Sequence, residues 1–355
     1  MRHVRALMLG VAMIALVTAC GGYVALSEIR APAAREGDPV EFIVEQGEST
    51  ADIATKLRAA ELIRQPALFT LLARMQDLDG KLQAGRYVLS PTMTMSQILI
   101  ALQSARVAEA QVTLREGLRL EEIAEALEAA GIVGAEPFLA AARDGDRFRS
   151  EYFLLSSLPE GASLEGYLFP DTYRFPQQAA PEEVIRAMLD RFAEQYATIE
   201  RNVQVPDVTV HQIVTMASIV QREAALESEM PLIAGVFWNR LKPESAAVLG
   251  PLTIGADATV QYALGYSEAE GSWWRRELSQ ADLQVDSPYN TRLRPGLPPG
   301  PIAAPGMAAL AAAAQPDVDD GYLFFVASCA RDGSHNFAAT TEEFRIYEAE
   351  WLACQ

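Results

Sequence analysis

Histidine and cysteine are scarce in this chain: three of each, at His3, His211 and His335 and at Cys20, Cys329 and Cys354. No two stand at ligand spacing, so a zinc site of the usual His/Cys kind has too few ligands. There is no Gly-x-Ser-x-Gly elbow, no Ser-x-x-Lys pair and no Gly-x-x-x-x-Gly-Lys loop, which argues against the common serine acyl-transfer devices and against nucleotide hydrolysis. Positive charge is also short: 29 Lys+Arg stand against 47 Asp+Glu, a net charge of -18. No basic stripe is long enough to neutralise a phosphate backbone, which argues against nucleic acid as a partner. No metal and no cofactor are expected, and carboxyl chemistry is the class left open.

Half of the 355 residues are hydrophobic, enough for sizeable cores in two or three domains. Ala6 to Leu26 carries no charged side chain, and ~21 residues at ~1.5 Å each reach ~31 Å, the hydrocarbon thickness of a bilayer. Arg2 and Arg5 precede this run and Glu28 follows it, which puts the N-terminus in the cytoplasm and the rest outside, a single-pass inner-membrane protein with a periplasmic body. The same residues allow another reading, since Val17-Thr18-Ala19-Cys20 resembles a lipoprotein cleavage site with Cys20 as the lipidated residue. In an exported compartment Cys329 and Cys354 are free to pair, and two buried thiols are the other possibility.

The organisation expected is α+β: a membrane anchor over 1–27, a linker over 28–39, a small β/α module over 40–108, a related segment over 109–159, and a catalytic domain over 160–355. Val40 to Val44 alternates as a strand, and Gly47 leads into a helical pattern at Ile53, Ala54 and Leu57. Val112 to Gly117, followed by Ile123, Ala124 and Leu127, repeats this pattern, with Gly117 matching Gly47. Further helices are expected near 66–75, 95–102, 135–143, 181–198, 209–225 and 230–241, and strands at 82–89 and 322–327.

The helix opened by Thr209 and Gln212 at capping-box spacing carries Ile213, Met216, Ala217, Val220 and Ala224 on its apolar face. Glu223 lies at the edge of that face while Arg222 points away. Partial desolvation there raises a carboxyl pKa toward neutrality, as a general acid requires. From helix position alone, an arginine-bound rim glutamate is the better reading.

The segment Ala217-Ser218-Ile219-Val220-Gln221-Arg222-Glu223-Ala224 resembles the signature helix of the MltG (YceG-like) endolytic murein transglycosylases. Leu164 to Tyr173, Val236 to Leu241, Asp257 to Tyr262, Ser287 to Thr291 and Gly296 to Ile302 resemble further family segments, in family order. Gln221 stands where many members carry a second glutamate, Ala258 replaces the usual proline, and Pro243 to Pro251 is longer than the family pattern. The resemblance implies a LysM-like module in residues 40–108, a YceG-like catalytic domain, and Glu223 as the catalytic residue. It further implies cleavage of the bond between N-acetylmuramic acid and N-acetylglucosamine inside nascent peptidoglycan strands, beside the penicillin-binding synthases, with a 1,6-anhydro product.

For such a substrate, Tyr167, Trp238, Tyr262 and Tyr289 offer flat apolar faces to sugar rings. Asn239, Thr259, Gln261 and Asn290 can exchange hydrogen bonds with hydroxyl and N-acetyl groups. Each also has a plainer role, as a core aromatic or as a partner for loop backbone. Glu165 and Asp257 are candidate substrate contacts and, with Asp171, candidate second carboxylates for a hydrolytic muramidase; Asp171 suits a structural role better. A non-catalytic glycan-binding scaffold, with Glu223 only structural, is the rival from another class.

Overall fold

A computed structural model of the chain describes residues 27–103 and 109–354. The expected membrane segment, Cys20 included, lies outside the described residues. Among the described residues no helix is long and apolar enough to cross a membrane. The described residues fall into two compact units that divide between Glu109 and Ala110.

In the smaller unit, β1 (Val40–Val44) pairs antiparallel with β2 (Gly85–Leu89), and buried Phe42 sits opposite buried Tyr87. Between them run α1 (Thr50–Ala59) and α2 (Pro66–Met75), and α3 (Met95–Ala101) follows. Ser49 with Asp52 and Thr94 with Gln97 form capping boxes that satisfy the first N–H groups of α1 and α3. Ile53, Ala54, Leu57, Phe69 and Ile98 close the core over one face of the ribbon. The strand expected from Leu82 begins only at Gly85, because the chain before it turns to α3 and Gln83 N–H donates to the Leu102 carbonyl.

The larger unit opens with the same motif. β3 (Glu109–Thr113) leads through Gly117 into α4 (Leu120–Ala129) and α5 (Ala135–Ala142). Both repeat glycines have positive φ, +86° at Gly47 and +79° at Gly117, a conformation only glycine adopts without strain. The partner of β3 is β4 (Thr172–Pro176), held also by Leu114 N–H to Asp171 O and by the hydroxyls of Thr113 and Thr172. Asp171 itself binds Arg191 at 2.7 Å. One core runs from Val112 through α6 (Pro181–Tyr196) to Ala314, so residues 109–159 share their packing with the expected catalytic domain.

At its centre lies α7 (Val210–Glu223), in which His211 and every residue from Ile213 to Val220 are buried. α8 (Met230–Arg240) and the alanine-rich α10 (Met307–Ala314) pack along it, and α9 (Asp257–Leu264) crosses its C-terminal end. The chain finishes with β5 (Phe324–Ala327) antiparallel to β6 (His335–Ala338), covered by α11 (Thr341–Ala353). No residue of α11 is fully buried. Its end is tied to the β5–β6 turn by a Cys329–Cys354 disulfide.

Close approach is strictest at Gly235 on α8, where an added Cβ would stand 1.7 Å from the Asp317 carbonyl oxygen. That carbonyl belongs to rigid backbone, as Asp317 N–H is bonded to Pro231 O at 2.9 Å. Gly235→Ala is therefore expected to destabilise the fold by about 1–3 kcal/mol, the usual cost of overpacking, read as a lower midpoint in urea unfolding with an unchanged slope.

Candidate active site

Glu223 is the last residue of α7, where the helix stops because Ala224 turns to an extended conformation. Its side chain enters a cavity of about 440 Å³ lined by Arg240, Asp257, Arg292, Thr253 and Gly255 and by Phe237, Phe324, Phe325 and Phe344, with the Arg240 guanidinium over the Phe237 and Phe324 rings at 5.9 and 5.8 Å. Glu223 Oε1 accepts the Ala258 N–H, in the first turn of α9, at 3.2 Å.

Burial raises the Glu223 pKa above its ordinary value, and the neighbouring Asp257 carboxylate pushes the same way. The Ala258 N–H, Arg240 and Arg292 oppose the rise by favouring the carboxylate. The negative end of the α7 dipole adds to the rise. Influences that favour each protonation state thus meet at one carboxyl group, as release and recapture of a proton require.

Arg240 is pinned by two segments: its Nε donates to Leu323 O at 2.6 Å and its Nη1 to Ile254 O. Burial lowers its pKa to about 10, against the favourable pull of Glu223. Arg292 binds Asp257 at 2.6 Å at the rim. Arg222 points away from the cavity as expected, its guanidinium 3.8 Å from the centre of the Trp274 ring. Gln221 also turns elsewhere, its Oε1 accepting Gly306 N–H at 2.9 Å.

Of the ten residues named from sequence as substrate contacts, Asp257 lines the cavity with Glu223. Tyr167 is fully buried, hydrogen-bonded to His211 Nδ1 at 3.1 Å and packed on Phe192, so its face is spent on the core. His211 Nε2 in turn meets the Pro299 carbonyl at 2.9 Å, which requires the proton on Nε2 and makes the Tyr167 hydroxyl the donor to Nδ1. Glu165 is also buried: its Oε2 accepts Leu120 N–H at the start of α4 and the Tyr262 hydroxyl. Burial pushes the Glu165 pKa up to about 8, so it is a protonated acid at neutral pH and serves as a helix cap. Tyr262 lies beneath the Arg119 guanidinium and against Tyr289, outside the Glu223 cavity.

The polar candidates hold backbone. Asn239 Nδ2 donates to Tyr322 O, Gln261 Nε2 to Arg275 O, and buried Asn290 Nδ2 to Leu283 O and Val285 O. Buried Thr259 donates to Ala256 O and shares a bond with Thr291. Trp238 Nε1 is likewise taken by Ala313 O. What sequence reasoning passed over were the arginines and phenylalanines of the cavity. One signal was present: Arg240 falls three and four residues after buried Phe237 and Val236, a charge on the apolar face of its helix.

The charges around Glu223 make a signed prediction. Arg240→Gln removes a cation that favours the carboxylate, so Glu223 should titrate at still higher pH, while Asp257→Asn should shift it down. The side-chain carboxyl carbon of labelled Glu223, followed by NMR across a pH series, reads both; equal titration in parent and variants would show that these neighbours do not set it.

The profile of the YceG-like family matches residues 42–350. The endolytic murein transglycosylase of Bacillus subtilis (strain 168) is 31% identical, over 88% of this chain and 85% of that protein. The protein of the same name from Streptococcus pneumoniae (serotype 2, strain D39) is 29% identical over 96% of this chain and 64% of its own length. A crystal structure of a YceG-like protein from Listeria monocytogenes aligns with a TM-score of 0.56 at 29% identity, covering 88% of this chain and 99% of that one. With a family match across most of its length and relatives of this similarity, the chain belongs to the YceG-like family.

Proposed function

We propose that this protein is an endolytic peptidoglycan lytic transglycosylase, cutting between N-acetylmuramic acid and N-acetylglucosamine inside nascent glycan strands and so ending their elongation. The observation that carries this reading is Glu223: a carboxyl group in an open cavity, held protonated to higher pH by burial, with a single hydrogen bond, from Ala258 N–H, among the described residues. The names of the Bacillus and Streptococcus relatives point the same way.

Glu223 protonates the bridging oxygen, and the bond to the muramic acid C1 breaks toward an oxocarbenium-like state. The Glu223 carboxylate left behind, stabilised by Ala258 N–H and the Arg240 and Arg292 charges, then takes the proton of the sugar's own C6 hydroxyl. That oxygen closes on C1 to make the 1,6-anhydro ring, and water is not consumed. Placement of the other carboxyls supports one group acting twice: Asp257 is committed to Arg292, and Glu165 is a buried cap.

Residues 40–108 are read as a LysM-like module that holds the strand. The N-terminal apolar run serves as a single-pass anchor in the inner membrane, or as a signal for lipidation at Cys20, with the body in the periplasm beside penicillin-binding synthases. The disulfide supports an exported location, since such bonds persist in oxidising compartments.

Incubation of the detergent-solubilised chain with purified peptidoglycan should release anhydro-muropeptides, identified by mass spectrometry. The Glu223→Gln variant should release them at least about 100-fold more slowly, the lower range for loss of a general acid. Equal release by the variant would leave Glu223 structural, as in a binding scaffold, and reducing-end products would make the enzyme a hydrolytic muramidase.

A further inference from the structure

The aromatic lining of the Glu223 cavity carries an inference that rests on the glycan-cutting reading and deepens it. Phe324 on β5 and Phe344 on α11 stack with ring centroids 5.0 Å apart and planes inclined by 25°. Phe325 meets Phe237 edge-on at 5.7 Å. Phe237 is a core residue at 1% exposure, whereas Phe324, Phe325 and Phe344 each keep part of their surface open although they line a cavity with two arginines and two carboxyls. Apolar rings left open in a polar cavity suit a ligand with one apolar face and one polar edge.

A pyranose ring has that character: its axial C–H groups make an apolar face, while its hydroxyl and acyl groups lie around the rim. We propose that Phe344, stacked on Phe324, whose ring also has the Arg240 guanidinium 5.8 Å from its centre, is the platform on which one of the two sugars flanking the scissile bond lies, with its polar rim turned to Arg292 and the bridging oxygen within reach of Glu223. The platform replaces Tyr167, Tyr262, Tyr289 and Trp238, none of which lines this cavity. It is built from the last elements of the chain: α11 packs on β5 and β6 without a fully buried residue of its own, and the Cys329–Cys354 bond ties down its end. The C-terminal ribbon and helix are thereby assigned to substrate binding.

The test uses the full chain carrying Glu223→Gln, so that binding is read without turnover, titrated calorimetrically with a soluble N-acetylglucosamine hexamer. Adding Phe344→Ala or Phe324→Ala should weaken binding about three- to tenfold each, the effect of losing one aromatic stacking partner. Phe344→Trp should restore it, and Phe153→Ala, at an 81% exposed ring outside the cavity, should leave it unchanged. In the active chain, Phe344→Ala should raise KM on glycan while kcat stays near the parent value, with an unaltered melting temperature as the check on folding. Unchanged binding in both alanine variants, or a fall in kcat alone that Trp does not rescue, would overturn the platform. Failure of the Glu223→Gln chain itself to bind the hexamer would instead bring down the glycan reading, and the platform with it.

Discussion

The larger unit depends on the burial of α7. From Ile213 to Val220 every side chain of that helix is enclosed, by α8 and α10 along its length and by the Gly296–Ile302 segment beside it. Removing a single Val, Leu or Ile side chain from water stabilises a fold by about 1.5–3 kcal/mol, so a helix buried on all sides is a fixed axis. Its few polar groups are answered locally: Thr215 donates to His211 O, Ser218 to Thr215 O, and Ser218 Oγ accepts Ile302 N–H. Glu223, as the final residue of this axis, inherits its rigidity.

The consequence of that position is electrostatic. At the end of a buried helix the carboxyl group loses most of its water, and the elements meeting there decide how much of the lost solvation is replaced. α9 supplies a backbone N–H, α8 supplies Arg240, and the loop after Asn290 supplies Arg292, already partnered by Asp257. The result is a carboxyl whose pKa burial raises, in contrast to Asp171, which the Thr172 N–H and its ion pair with Arg191 hold low. Chemistry that uses one group first as acid and then as base needs neighbours that favour each form, as burial and Asp257 do for the acid and Ala258 N–H, Arg240 and Arg292 for the carboxylate.

Glu165 and Glu223 show how far environment outweighs residue type. Both are glutamates whose pKa burial raises, Glu165 enclosed and Glu223 half-buried, and both touch α9: Glu223 at its first turn through Ala258 N–H and Glu165 further along through the Tyr262 hydroxyl. Only Glu223 opens on a cavity. Glu165 spends its carboxyl on the first N–H of α4, a group that a helix start leaves without an internal partner.

Sequence alone determined most of the elements and singled out Glu223 as the candidate acid. Hydrophobic spacing placed α2, α5, α6, α7 and α8 within a few residues of their observed bounds, because helices that bury one face must repeat apolar residues at the helical period. The repeat of Gly47 and Gly117 was legible because a positive φ admits few residues other than glycine. Glu223 stood out because the Ala217–Ala224 segment resembles the family's signature helix; its place at the edge of an apolar face fitted an arginine-bound rim glutamate at least as well. Which side chains share its cavity was decided only by tertiary structure. Tyr167, Thr259 and Asn290 look like glycan contacts in one dimension, yet each found a buried partner first, since an unsatisfied polar group costs more than an open one gains. Phe324 and Phe344 lie 20 residues apart on a strand and a helix, and Arg240 and Arg292 lie 52 residues apart; no local pattern links them. They meet at Glu223 because β5 of the C-terminal ribbon packs on α8 and α11 packs on the ribbon, long-range contacts that no spacing in the chain records.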